Sequence, residues 1–181
     1  MDSFNISRYG IRVGTRAEGK KAQPEIEAQV KNMPYGNVLI LSLDDMEMMD
    51  FSFADEAIAL TYQRLISNEY GDKYIIIKGS NPDVLESVDV ALQKRGLSAL
   101  VVQDGRWKCI GLKKPDLMDI LKTIIEKKEI STPKLTESLG ENMTAQNCNN
   151  KVMELARLKL IKREKINNPV GGIMYLDKAI I

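Results

Sequence analysis

The sequence predicts a chain of mixed α/β class in two domains. Residues 1–112 read as a small mixed sheet layered with helices, and residues 113–181 as an α+β winged helix-turn-helix. Three observations lead there. Short apolar runs at Val38–Leu41, Lys73–Lys78 and Leu97–Val102 alternate with helical stretches, as in an α/β layer. Closely spaced helical segments follow between Pro115 and Leu158. Two alternating runs, Leu160–Ile166 and Ile173–Leu176, then flank a stretch dense in turn residues, Asn167–Gly172.

In the first 35 residues the signals are a short strand at Ile11–Val13 and a helix over Pro24–Lys31. Val38–Leu41 is a buried strand ending at Ser42-Leu43-Asp44-Asp45. A helix from Ser52 to Ser67 follows, with Phe53, Ala54, Ile58 and Leu65 facing the core. After the strand Lys73–Lys78, Ser80-Asn81-Pro82-Asp83 supplies a cap and a first-turn proline for a helix that ends at Gly96. Leu97–Val102 and Arg106–Gly111 are strands joined across Asp104-Gly105. The link Gly111-Leu112-Lys113-Lys114 is too short for much independent motion of the two halves.

Pro115 opens the next helix, and Leu117, Ile120, Leu121, Ile124 and Ile125 share one face of it. Lys127 and Lys128 occupy its last turn, where cations suit the helix dipole. Ser131-Thr132-Pro133 caps a short helix that stops at Gly140. After a turn at Glu141–Met143, Thr144 caps a third helix to about Leu158, with a buried stripe of Cys148, Val152, Leu155 and Ala156. The hairpin that follows is a wing.

Composition limits the function. Of 181 residues 44% are hydrophobic and 28% charged, as in a soluble domain protein. No apolar run approaches the roughly twenty residues of a membrane span. The opening MDSFNISRYG lacks the apolar core of a signal peptide, so a cytoplasmic protein without membrane contact is expected. There is no histidine, which removes the commonest metal ligand and general base. Cys109 and Cys148 read as packing residues, and no cofactor, metal site or catalytic residue is predicted. Residues 113–181 hold 13 Lys/Arg against 9 Asp/Glu, and residues 1–112 hold 13 against 16. The basic excess therefore lies in the second half, where phosphates would be met.

Leu117–Leu176 resembles the winged-helix regulators of prokaryotes, including the multiple-antibiotic-resistance type. The residues that carry this are Thr132-Pro133-Lys134-Leu135, Met143-Thr144 and Leu155-Ala156-Arg157-Leu158-Lys159-Leu160-Ile161, with Lys159 where glycine is common. The resemblance implies that the third helix enters the major groove of double-stranded DNA. Thr144, Gln146, Asn147, Asn149, Asn150 and Lys151 are then its contact residues, since Asn and Gln can pair bidentately with adenine. Lys159, Lys162, Arg163 and Lys165 are the phosphate contacts at the wing. It also implies dimers on two-fold sites. The structural alternative is an ordinary polar helix face with solubilising lysines.

In the first half, Ser52-Phe53-Ala54-Asp55-Glu56 after a strand and loop resembles the STAS-like family, relatives of anti-sigma-factor antagonists, over roughly residues 8–105. The resemblance implies a sensor or interaction domain with a protein partner, and makes Ser52 a candidate phosphorylation switch. Phe51 and Phe53 depart from the small residue and the glycine that flank the serine in the anti-sigma-factor antagonists themselves, and a Ser52 cap completed by Asp55 is the structural alternative.

Other features compete. Gly14-Thr15-Arg16-Ala17-Glu18-Gly19-Lys20-Lys21 nearly spells a P-loop, but Lys21 replaces the Mg²⁺-binding hydroxyl. Asp44, Asp45, Glu47 and Asp50 match no calcium-loop spacing and read as a solvated loop, and Trp107 reads as packing. The expected function is a DNA-binding transcriptional regulator that acts by binding rather than catalysis. A protein-interaction switch whose winged helix binds protein is the second reading, and a degenerate nucleotide-binding enzyme the third.

Overall fold

Runs such as Val38–Leu41 and Tyr74–Ile77 carry apolar side chains at consecutive positions, so they gain most on the central strands of a sheet. The computed structural model, which describes residues 2–111, 114–140, 143–168 and 171–181, places them there. The chain divides into two compact units, Met1–Lys113 and Lys114–Ile181.

The first unit contains strands β1 (Asp2–Asn5), β2 (Arg12–Val13), β3 (Val38–Ser42), β4 (Met48–Met49), β5 (Tyr74–Lys78), β6 (Ser98–Gln103) and β7 (Arg106–Gly111). Five of them form one sheet in the order β1-β3-β5-β6-β7, and β2 pairs with β4 alone. β1, β3, β5 and β6 are parallel, and β7 returns antiparallel. The crossovers are made by α1 (Arg16–Asn32), by a helix built from α2 (Phe51–Phe53), a π-helical stretch (Ala54–Ala59) and α3 (Leu60–Ile66), and by α4 (Pro82–Lys94). Each crossover steps in the same direction along the sheet. Right-handed connections then put all the helices on one face. Leu39, Leu41, Ile75, Ile77, Ala99 and Val101 supply the sheet side of that core, against Ile26, Val30, Phe53, Ile58, Leu65 and Leu92. Val38, Tyr74, Ile76 and Leu100, which alternate with them, are also buried.

Two helix starts differ from the sequence reading, the first of them for a capping reason. α1 begins at Arg16 rather than Pro24, because Thr15 and Glu18 form a reciprocal capping box. Pro24 is carried inside the helix. The helix after β4 begins at Phe51 with Asp50 as its N-cap residue, so Ser52 lies inside the first turn.

The second unit contains α5 (Pro115–Lys127), β8 (Glu129–Ser131), α6 (Thr132–Ser138), α7 (Ala145–Arg157), β9 (Ile161–Asn167) and β10 (Ile173–Ala179). The strands form an antiparallel sheet in the order β8-β10-β9. Leu117, Ile120, Leu121, Ile124 and Ile125 of α5 are buried, as their spacing predicts. Each contributes roughly 1.5–3 kcal/mol by leaving water. Leu135, Cys148, Val152, Leu155 and Ile161 are buried too. The residues read as a turn and cap before α6 include β8, and β10 runs past Leu176 to Ala179. Leu112 and Lys113 of the link, Glu141 and Asn142 before α7, and Pro169 and Val170 of the hairpin turn lie outside the described residues. Among the described residues no helix is long and apolar enough to cross a membrane.

Candidate nucleic-acid interface

α7 is fixed at its start by Thr144, whose hydroxyl accepts from the Asn147 amide at 3.2 Å. Its buried stripe is Cys148, Val152 and Leu155, with Ala156 only half-buried. Gln146, Asn147 and Asn150 are exposed, and the Gln146 amide donates to Asn150 Oδ1 at 3.0 Å across one helical turn. Thr144, Gln146, Asn147 and Asn150 are thus gathered on the solvent side of the first two turns.

The other predicted contacts are placed differently. Lys151 forms an ion pair with Asp116 at 3.3 Å, with its side chain 19% exposed. Asn149 is half-buried and is held by Arg163, whose Nη2 donates to Asn149 Oδ1 at 2.6 Å. Lys159 closes α7 at φ 57°, with its own amide donating to Ala156 O and the Leu160 amide to Leu155 O. That is the Schellman ending in which glycine is favoured.

Pleating decides the hairpin. Arg163 pairs across the ladder with Asp177 and Lys165 with Tyr175, whereas Lys162 pairs with Lys178. Side chains alternate faces along a strand, so Lys165 shares a face with Arg163, and Lys162 projects from the other. Lys165 is exposed. Arg163 is not: its side chain is 10% exposed. Its guanidinium lies 4.3 Å from the Tyr175 ring, and its Nε faces Asp177 Oδ1 at 3.5 Å. Asp177 is fully buried, and its Oδ2 accepts from the Thr132 hydroxyl at 2.8 Å. Desolvation pushes the Asp177 carboxyl above the usual range, although the Thr132 hydrogen bond and the Arg163 charge oppose it. Thr132, Tyr175 and Asp177 were not among the site residues predicted from sequence. The Arg163–Asp177 cross-strand pair could have been found by counting hairpin register from Ile173, but only with the strand extended past Leu176.

In the first unit, the Ser52–Glu56 segment enters the π-helical stretch, a rare geometry often found at functional sites. Ser52 is half-buried in the first turn. Asp55 completes no capping box. It is buried and accepts from Arg95 Nε at 2.6 Å and from Arg16 Nη2 at 2.9 Å, while Glu56 accepts from Arg16 Nη1 at 2.6 Å. Burial pushes the Asp55 carboxyl up, but the hydrogen bonds from Arg95 and Arg16 outweigh it and hold it below the usual range.

The P-loop-like stretch forms a different structure. The Glu18 carboxylate accepts from the Gly14 amide at 3.1 Å and the Thr15 amide at 2.7 Å, so the chain's own carboxylate fills the amide cradle where a phosphate would sit. In the acidic loop, Lys78 pairs with Asp44, Arg12 with Glu47 at 2.8 Å, and Asp45 accepts from Asn5 at 2.9 Å. Among the described residues no cluster of His, Cys, Asp and Glu is arranged to hold a metal ion. Both cysteines are buried and neither is in a disulfide, and Trp107 is half-buried on β7. Comparison with protein-family models, with curated proteins and with solved structures gives no match for this chain.

Proposed function

We propose that the chain is a cytoplasmic DNA-binding transcriptional regulator, in which a winged helix-turn-helix (residues 114–181) follows a STAS-like sensor or interaction domain. It acts by binding rather than by catalysis. The observation that carries the reading is the exposed amide face of Gln146, Asn147 and Asn150 at the capped start of α7, followed by a hairpin with an exposed Lys165. Amide side chains on the leading turns of such a helix can read adenine edges in the major groove. In this reading the exposed Thr144 and Lys165 meet phosphates beside it. Two copies on a two-fold site match this arrangement.

The test is binding of the full chain to random-sequence duplex DNA across a salt series. Each phosphate neutralised by a lysine adds about −0.9 to the log–log slope, so Lys165 alone gives a loss of about 3.5-fold in affinity between roughly 50 and 200 mM salt. Lys165→Glu should make that slope shallower by at least about 0.9. Absence of binding at low salt would sink the reading.

A second reading, a protein-binding switch, draws on one feature of the first unit. Ile11 and Met48 are 47% and 50% exposed, and they flank the paired strands β2 and β4 close to the helix that carries Ser52. Salt-insensitive capture of a protein without DNA binding would favour it.

A further inference from the structure

Arg163 has the composition of a phosphate contact and the surroundings of a structural pin. Its guanidinium donates to both the side-chain and main-chain oxygens of Asn149, at 2.6 and 3.5 Å. It lies over the Tyr175 ring at 4.3 Å and faces the fully buried Asp177 at 3.5 Å. Asp177 in turn accepts from Thr132, the first residue of α6. One cation therefore joins α7 and both strands of the hairpin, and through Asp177 it reaches α6. A buried carboxylate is costly unless a charge and hydrogen bonds answer it. Only a planar fork of several donors can satisfy Asn149 while facing Asp177, and a lysine ammonium has no such fork.

We propose that Arg163 is a positioning residue: by tying Asn149 of α7 to Asp177 of β10, it fixes the direction in which the exposed amides of α7 point. What those amides contact rests on the DNA-binding reading, but the clamp itself does not. Asn149 neighbours Asn150 and lies one turn beyond Gln146, so rotation of α7 about this tie would move both.

The experiment compares the full-length wild type with Arg163→Lys, Arg163→Gln, Asn149→Ala and the double variant Asn149→Ala/Arg163→Lys. Duplex DNA binding is measured over the same salt series. A positioning role predicts that Arg163→Lys and Asn149→Ala each weaken binding about tenfold, that the double variant is no weaker, and that Arg163→Gln leaves the salt slope unchanged. If Arg163→Lys binds as the wild type and Arg163→Gln makes the slope about 0.9 shallower, Arg163 is a phosphate contact and the proposal is overturned. Two losses that multiply in the double variant also overturn it. Hydrogen exchange without DNA separates the clamp from the DNA reading. If the wild type binds no DNA, the clamp still predicts that α7 amides exchange about tenfold faster in both single variants and no faster in the double. Unchanged exchange in either single variant refutes it.

Discussion

Gly19 of α1 is a position at which the first unit should not accept a single methyl group without moving a neighbouring helix. It is buried on α1, and a Cβ there would stand 2.8 Å from Glu56 Cβ and 3.3 Å from the Phe53 carbonyl oxygen. Carbon atoms prefer about 3.5–4.0 Å, so α1 and the π-helical stretch would have to separate by roughly 1 Å. Neither obstructing atom is the free end of a flexible side chain. The same crossing carries the Arg16 bonds to Asp55 and Glu56, which the separation would stretch. Against this, alanine is better than glycine inside a helix by about 1 kcal/mol. Overpacking a tight core costs typically about 1–3 kcal/mol, and the upper part of that range applies where backbone must move. Gly19→Ala should therefore destabilise by about 1–2 kcal/mol, a fall in Tm of roughly 2–8 °C. Thermal unfolding followed by circular dichroism reads this directly. In a Glu56→Gly background the nearest obstruction is gone, and the penalty should shrink by at least half. A Gly19→Ala variant that melts at or above the wild type, or a penalty unchanged by Glu56→Gly, would refute the close-approach argument.

Three further outcomes follow from the capping and charge geometry. Asp55 has a folded pKa below its unfolded value near 3.9, so its ion pairs stabilise fully above that value and are lost as pH falls through the folded pKa. The Tm gap between wild type and Asp55→Asn should accordingly be constant above about pH 5 and narrow as pH falls below the unfolded value, and a gap that widens on acidification contradicts the assignment. Lys159 holds a left-handed conformation at φ 57°, which costs a non-glycine residue about 1–2 kcal/mol. After the entropy glycine loses on folding, Lys159→Gly should stabilise by about 0.5–1 kcal/mol in urea unfolding, and a loss of stability counts against the Schellman ending. Thr144→Ala should cost about 1 kcal/mol by removing the cap on the Asn147 amide, whereas Thr144→Ser should restore most of it.

Elements whose signal is local were legible in the sequence. The Asn81-Pro82 start of α4, the five-residue apolar stripe of α5 and the Thr144 cap of α7 all lie where their own residues place them. Elements formed by a distant partner were not. β1 is the polar stretch Asp2–Asn5, and it is a strand because β3 offers it an edge, with Phe4 alone buried. β8 is three residues long and is defined by its pairing with β10. The π-helical stretch has no composition of its own, since Ala54–Ala59 reads as ordinary helix. The α1 start was hidden because glycines at 14 and 19 read as loop residues and Pro24 as a helix start, which masked the Thr15/Glu18 capping box.

The candidate interface was legible in the same uneven way. Helical spacing places Gln146, Asn147 and Asn150 on one face whatever packs behind them, and those three are exposed together. The cations were grouped only by nearness in sequence, and that is a poor guide once tertiary partners arrive. Asp116, from a helix about 35 residues earlier, engages Lys151. Asp177, from beyond the turn, draws Arg163 inward, and the pleat turns Lys162 away from Lys165. A positive charge next to a candidate recognition helix is therefore as open to an internal carboxylate as to a phosphate, and burial distinguishes the two. An arginine with a side chain 10% exposed and a buried carboxylate at 3.5 Å is already neutralised by the fold. It can add little to counterion release, so the proposed DNA binding predicts fewer phosphate contacts than a count of hairpin cations suggests. For that reason the slope of binding against salt, rather than affinity at one salt, is the quantity that separates an interface built on the α7 amides from a diffuse basic surface.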